Sequence, residues 1–316
     1  MSIVKGPLFS LDADGTIGKS LSYSKKSQNN IVSKYSKPGD VSPGESSPRQ
    51  KDQRSIIKLI TIHWQCMDDI DRLTWETAAK AARFKGSGYH YFLHMAQTDL
   101  KTYLGLVGYW SMNYETGGKI PDLSGNGNHG TLSPIYPCDS PPLVDSVNKK
   151  EGKALYFNGI TNYVDLGRPE ILNNFTKMSL FFLLNPKPFD GTLGYIFYAN
   201  YHFSPYGIMC YYHHASNRVV FWFKNTVEIA TNIYIYVSPK TWFTIGFTWD
   251  NTTIRFYING KDLGTPRTFS GTLACSAGNI YLSRPSANSS LLGKLDNFII
   301  YNRCLTSLEV SKLFAL

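Results

Sequence analysis

The stretch Asp122-Leu-Ser-Gly-Asn-Gly-Asn-His-Gly130 gathers three oxygen-bearing side chains, Asp122, Asn126 and Asn128, around one short turn. Gly125, Gly127 and Gly130 permit the positive φ angles and close backbone approach that such a turn needs. Carboxylate and amide oxygens converging on a tight loop are the hard donors that Ca²⁺ takes. The same composition also makes an ordinary turn between strands, and the residues alone leave both readings open. His213-His214 follows Tyr211-Tyr212, but neighbours on a strand point to opposite faces and do not easily share one metal ion. The pair reads better as turn residues ahead of Ala215-Ser-Asn217. Tyr201-His-Phe-Ser-Pro-Tyr206 is an aromatic loop able either to stack on a sugar ring or to pack on its own sheet. No Walker loop, dinucleotide fingerprint or Ser/His/Asp spacing in a suitable context accompanies these groups.

The elements that must position them are mostly strands. From Leu106 onward short β-runs recur, with candidates at 106–112, 154–157, 163–166, 178–184, 195–198, 207–212, 219–223, 229–236, 241–249, 253–258, 279–282 and 293–301. Their spacing and turn residues predict a sandwich or jelly roll, with Asn158-Gly159 and Asn259-Gly260 as hairpin turns. Thr306 and Glu309 form a capping-box pattern that starts a short closing helix through Phe314. Ahead of the sandwich, Ile56, Ile60, His63, Trp64 and Met67 recur at helical steps, and Ile70, Leu73, Thr77, Ala78 and Ala81 do so in a second helix that Asp68 and Asp69 can cap. Tyr89 to Ala96 reads as a third. Residues 3–37 read as extended, with little apolar content, and residues 38–48 as a Pro/Gly/Ser linker. The expected division is an arm and linker over 1–48, a helical docking segment over 49–102 and the sandwich over 103–316. Strands with so thin a core need a partner surface, so Phe9, Leu11, Ile17, Tyr23 and Tyr35 are the expected assembly-docking residues.

With 316 residues the chain has ample material for a core without staples. The net charge of +9 is dispersed, without runs of Lys/Arg interleaved with aromatics, which argues against sequence-specific nucleic-acid recognition. Cys66, Cys138, Cys210, Cys275 and Cys304 match no zinc spacing; an odd, scattered set suits free thiols, with a Cys138–Cys275 bridge left open. No apolar leader and no run of 18 apolar residues occurs, so neither a signal peptide nor a membrane span is expected.

Five segments in order, Leu106 to Met112, the 122–130 loop, Gly152 to Gly159 with Tyr163 to Gly167, Phe256 to Gly260 and Gly293 to Arg303, resemble the laminin G-like, or concanavalin A-like, lectin/glucanase family over about 103–316. The resemblance implies a mostly β concanavalin A-like jelly-roll sandwich. It also implies that Asp296 sits beside the Asp122 loop, the two carboxylates holding a structural Ca²⁺ with oxygens from Gly125, Asn126 or Asn128; simple turn capping by Asp122 and Asp296 is the equal alternative. Glycan contacts are expected from Tyr201, Tyr206 and Tyr212. The superfamily includes glycoside hydrolases, which need two facing carboxylates. The chain has no Glu-x-Asp-x-Glu, and Glu115, Glu151, Glu170, Glu228 and Glu309 are solitary, so no enzyme activity is expected. Gly6 to Gly18, Leu21 to Lys25 and the Trp64 and Leu73 to Lys80 helices resemble an N-terminal module of tailed-virus (bacteriophage-type) virion proteins, with Asp14 where that module has Arg. This implies a virion structural protein, in capsid decoration or tail, made in the host cytoplasm, homo-oligomeric and partnered by other virion subunits and possible glycans. A free carbohydrate-binding lectin is the alternative.

Overall fold

The computed structural model describes residues 2–3, 15–17, 21–26, 29–34, 48–112, 118–133, 143–147, 153–168, 170, 174–188, 193–199, 207–224, 229–273, 279–283 and 290–315; of these, 2–3, 15–17, 21–26, 29–34, 48–51, 101 and 229–232 are described by their backbone alone. Helices are α1 (Pro48–Cys66), α2 (Asp69–Ala81), α3 (Gly88–Thr98), α4 (Leu100–Leu104) and α5 (Ser307–Phe314). The chain forms two compact units, residues 1–47 with 67–94 and residues 48–66 with 95–316.

The first unit holds a small antiparallel sheet of β1 (Ser2–Ile3), β2 (Gly15–Ile17), β3 (Leu21–Lys26) and β4 (Asn29–Lys34), in the order β1-β4-β3-β2. Ile17 and Tyr23 lie on β2 and β3, whereas Phe9, Leu11 and Tyr35 lie outside the described residues. Asp68 caps α2 by accepting from the Asp71 amide at 2.7 Å, which satisfies one of the orphan donors of the first turn. The apolar stripe expected on α2 is out of phase with the fold: Ile70 and Leu73 are 76% and 65% exposed, and Ala79 is the buried residue of the helix. The reason is Trp75, whose ring meets Phe92 at 5.0 Å and Tyr91 at 6.0 Å. One large aromatic contact sets the rotation of the helix against a stripe of smaller side chains.

The second unit is a mostly β sandwich of two antiparallel sheets. One sheet runs β6 (Lys119–Ile120), β7 (Gly130–Ser133), β10 (Tyr163–Asp165), β20 (Ile280–Leu282), β12 (Leu193–Ala199), β13 (Gly207–His213), β14 (Arg218–Lys224), β15 (Ile229–Tyr236). The other runs β8 (Leu143–Asp145), β9 (Lys153–Asn158), β21 (Leu292–Tyr301), β11 (Met178–Pro186), β16 (Phe243–Trp249), β17 (Thr253–Ile258), β18 (Lys261–Asp262), with β5 (Leu106–Trp110) also on β21 and β19 (Arg267–Thr268) also on β17. Alternate residues on each strand enter one shared core. Across the eight-stranded sheet, Leu132, Val164, Leu282, Phe197, Cys210, Phe221 and Ile233 pair in register as one buried row. Facing it are Phe182, Phe247, Phe256 and Phe298, with Phe221 5.5 Å from Phe247 and 5.6 Å from Phe256.

Asn259-Gly260 is a true hairpin turn, joining β17 to β18 with φ of 50° and 76°, the left-handed pair such turns require. Asn158-Gly159 is not a hairpin. There the chain leaves β9 for β10 in the opposite sheet, and the Asn158 carboxamide oxygen accepts from the amides of Ile160, Thr161 and Asn162 to hold the crossing.

The outer face of the nine-stranded sheet is covered. Phe314 of α5 stacks on Phe181 of β11 at 4.1 Å and 9°, and the Phe181 ring in turn lies where any Cβ at Gly246 would fall, 2.3 Å away. Helix α1 is tied to α5 by a buried polar clamp. Glu309 accepts a bidentate pair from Arg303 at 2.7 and 3.0 Å, completes the capping box with Thr306, and meets His63 Nδ1 of α1 at 2.9 Å. The Arg303 guanidinium also lies 3.0 Å from His63 Nδ1, so that nitrogen either donates to Glu309 or accepts from Arg303, one at a time. Burial alone would raise the Glu309 carboxyl; hydrogen bonds from His63 and Arg303 and the Arg303 charge outweigh it and hold the group far below the usual carboxylate range.

A depressed carboxylate contributes stability above its unfolded pKa and loses it on acidification. Thermal melts should therefore show the second unit losing stability as pH falls below the ordinary value of 4.5, a slope that Glu309→Gln flattens. Arg303→Ala should cost about 3 kcal/mol at neutral pH by stranding a buried carboxylate.

Candidate functional site

The Asp122 loop is held by hydrogen bonds from within. Asp122 is buried; its Oδ1 accepts from the amides of Tyr109 and Ser124 at 3.1 and 2.9 Å, and its Oδ2 from the Asn128 amide at 3.0 Å. The Asn126 and Asn128 carboxamides donate to the Leu106 and Val107 carbonyls, and the Asn128 carbonyl accepts from the Trp110 indole at 2.8 Å. Asp296, on β21, is buried and accepts from the Ser146 hydroxyl and from the Asn297 amide. Gly125 and Gly127 take the expected positive φ, 84° and 77°. Among the described residues no group of three or more His, Cys, Asp or Glu side chains is placed to hold a metal.

For a Ca²⁺ ion this donor set fits poorly. Three N–H groups already donate to the one carboxylate of the loop and compensate its charge, and the two asparagines turn N–H groups toward carbonyls. The arrangement is a turn clamp that fastens the loop to β5. Asp122→Ala should leave three amides without their acceptor, costing about 3 kcal/mol, and a chelator should leave the melting temperature of the unaltered chain in place.

The aromatic residues divide by strand register. Tyr201 and Tyr206 lie outside the described residues. Tyr212 faces the core: it is fully buried, its hydroxyl donates to Asn217 at 2.8 Å, and burial pushes its phenol up to about 12. It has no ring face to offer a sugar, which corrects its expected glycan role. His213 ends β13, and His214 begins a 3-10 turn through Ser216. A period of two makes Tyr211, not Tyr212, the outward neighbour.

Tyr211 belongs to a carpet of rings on the outer face of the eight-stranded sheet. In register across seven strands lie Lys119, Thr131, Asp165, Tyr281, Tyr198, Met209 and Trp222. A second row carries Tyr195, Tyr211, Val220 and Tyr234, and a third Leu193, His213, Arg218 and Tyr236. At a strand spacing of ~4.8 Å the first row spans roughly 29 Å. Tyr195 meets Tyr198 and Tyr211 edge-on at 5.6 and 5.9 Å, and Tyr163 meets Tyr281 at 5.7 Å. Tyr195, Tyr198 and Met209 form the packed floor; Tyr211, Trp222 and Tyr281 are half-buried, and Tyr234 and Tyr236 are exposed.

At one end the floor meets a polar group. Asn279 donates to both oxygens of Asp165, at 3.2 and 2.9 Å, and its own oxygen accepts from Arg168 Nε at 3.2 Å. Burial, the Asp165 charge and Tyr163 together raise the Tyr281 phenol. At the other end Arg218 lies over the Tyr234 ring at 3.9 Å. The signal for this face was present in the sequence as alternating tyrosines, but its breadth arises from strands distant in the chain.

Two clefts in the same unit do not rival it. One of about 470 Å³ is lined by His63, Tyr103, Asn302 and Arg303, and its guanidinium is already engaged by Glu309. The other, about 210 Å³, lies beside Ser124, Gly125 and Asn126.

No curated protein matches the chain. Among solved structures, the binding domain of Paraclostridial Mosquitocidal Protein 1 matches with 20% identity and a TM-score of 0.52 over 66% of this chain and 51% of that one. The Botulinum neurotoxin serotype G binding domain matches with 19% identity and a TM-score of 0.51 over 66% and 50%. A Trypanosoma rangeli sialidase gives 16% identity and a TM-score of 0.49 over 66% of this chain and 32% of its own. The chain thus spans about half, or less, of the length of these structures, and the two binding-domain likenesses bear on fold alone. Residues 158–311 match the Laminin_G_3 model, the concanavalin A-like lectin/glucanases superfamily.

Proposed function

We propose that the second unit is a non-catalytic glycan-binding sandwich. The observation that carries this reading is the tyrosine-rich outer face of the eight-stranded sheet. Sugar rings present C–H faces that pack on aromatic rings while their hydroxyls seek hydrogen bonds, and here the rings border the Asp165, Asn279 and Arg168 group. The opposite sheet has the centre of its outer face, around Phe181, covered by α5. Among the described residues of the three rows Asp165 is the only carboxylate, and it is chelated by Asn279. Hydrolysis through a facing pair of carboxylates has no second partner there. The remaining sandwich carboxylates of note, Asp122, Asp296 and Glu309, serve buried clamps.

Binding measured on a glycan array and by calorimetry tests this. Tyr281→Ala and Tyr234→Ala should each weaken a bound oligosaccharide about tenfold, the loss of one stacked ring worth roughly 1 kcal/mol or slightly more, with melting curves little changed. Absence of any glycan ligand for the folded chain would defeat the reading.

We further propose that the chain works as a virion structural protein, in capsid decoration or tail, with the first unit serving assembly on other virion subunits and the sandwich displayed. Exposure of Ile70 and Leu73 together on α2 favours this over a free lectin, because neighbouring large apolar side chains in water mark a surface made for a partner. Mass spectrometry of purified particles should find the chain, and Ile70→Ser with Leu73→Ser should lower its incorporation without unfolding the sandwich.

A further inference from the structure

The charges around the tyrosine-rich face are mostly positive, with Asp165 the one carboxylate among the described residues of its rows. Lys119 stands at the β6 end of the first row, Arg168 follows β10 two strands further in and reaches Asn279, and Arg218 and Lys224 stand on β14 at the other end, on the same face by the alternation that places Trp222 there. His213 pairs with Arg218 across β13 and β14. Three basic groups elsewhere in the sandwich find carboxylates: Lys153 pairs with Asp145 at 2.7 Å, Arg255 with Asp262 at 3.5 Å and Arg303 with Glu309 at 2.7 Å. Among the described residues none of Lys119, Arg168, Arg218 or Lys224 makes such a pair. Arg168 donates to a neutral carboxamide, and Arg218 lies on the Tyr234 ring with its Nε lacking a hydrogen-bond acceptor.

Resting on the glycan reading above, we infer that this face selects an acidic glycan, an oligosaccharide bearing carboxylate or sulfate groups, over its neutral counterpart. The aromatic floor supplies contact with the ring faces, which neutral and acidic sugars share. The cations at the two ends supply the discrimination. Their separation across the sheet, roughly 20 Å or more at ~4.8 Å per strand, exceeds the ~10 Å screening length at 0.1 M salt. Each end therefore recruits its own anionic group, and the ligand is an extended chain with repeated charges, not a single charged sugar. Arg218 is placed for this role because its guanidinium sits over the Tyr234 ring, 3.9 Å from the ring centre, where ring and cation attract and a planar fork suits a carboxylate or sulfate.

The full chain is titrated by calorimetry with matched pairs carrying repeated charges: oligogalacturonate against its methyl ester, and sulfated against desulfated galactan oligosaccharides. The acidic member of at least one pair should bind about tenfold or more tightly at low salt, with the gap narrowing as salt is raised. Arg168→Gln with Arg218→Gln should remove that gap and its salt dependence, while Lys153→Gln, remote on β9, leaves it in place. Equal affinity within every pair that binds would overturn the charge selection and leave the glycan reading standing. Failure of every acidic and neutral member to bind the folded chain would overturn both.

Discussion

Two twisted sheets can share one core only if every strand surrenders alternate side chains to it, and that constraint governs the second unit. Once Leu132, Val164, Leu282, Phe197, Cys210, Phe221 and Ile233 are committed inward as a single row, their sequence neighbours turn to the other side, except at the β12 irregularity, where Ile196 joins Phe197 in the core. Asp165, Tyr281, Tyr198, Met209 and Trp222 are carried outward into a row of their own. The candidate site is thus a by-product of register: it is as rigid as the core behind it, because a slip of one residue would exchange the two rows entirely. This is why a binding face can be built from strands without loops being called on to hold its shape.

The two outer faces are treated differently, and the difference directs function. Over the nine-stranded sheet, α5 lays Phe314 on Phe181, and the Arg303, Glu309 and His63 clamp fastens α1 to α5. A buried ion pair of this kind contributes little net energy compared with an apolar contact but is costly to break on one side, so it fixes where α1 sits more than how stable the fold is. The eight-stranded sheet carries tyrosines instead. A tyrosine ring half in contact with its neighbours and half in water tolerates both a dry floor and a wet ligand.

Much of this could be seen in the chain beforehand. Every strand predicted from Leu106 to Tyr301 has its counterpart, because alternation of apolar residues in segments such as Ile229–Tyr236 and Thr253–Ile258 reports a local period that tertiary packing then uses. The Thr306 and Glu309 capping box formed as read, being a contact across only three residues. The very short strands, such as β6 and β18, were not legible, since two residues carry no period. The rotation of α2 is not legible in its sequence, because a stripe of Ile70 and Leu73 looks apolar in isolation, whereas the choice of buried side is made by Trp75 meeting rings on α3.

The sequence by itself determined the mostly β class, the turn at Asn259-Gly260 and the presence of a glycine-rich loop after β5, because each depends on residues within a few positions of one another. Only the tertiary structure decided that Asp122 accepts from three amides, that Tyr212 points inward while Tyr211 points out, and that Asp165, Asn279 and Tyr281 meet at one end of a shared face. Those outcomes depend on which strands become neighbours, over separations of more than a hundred residues between Asp165 and Asn279, and on whether an odd or an even position falls in the core. Local composition fixes neither, since both follow from the pairing of the whole sheet.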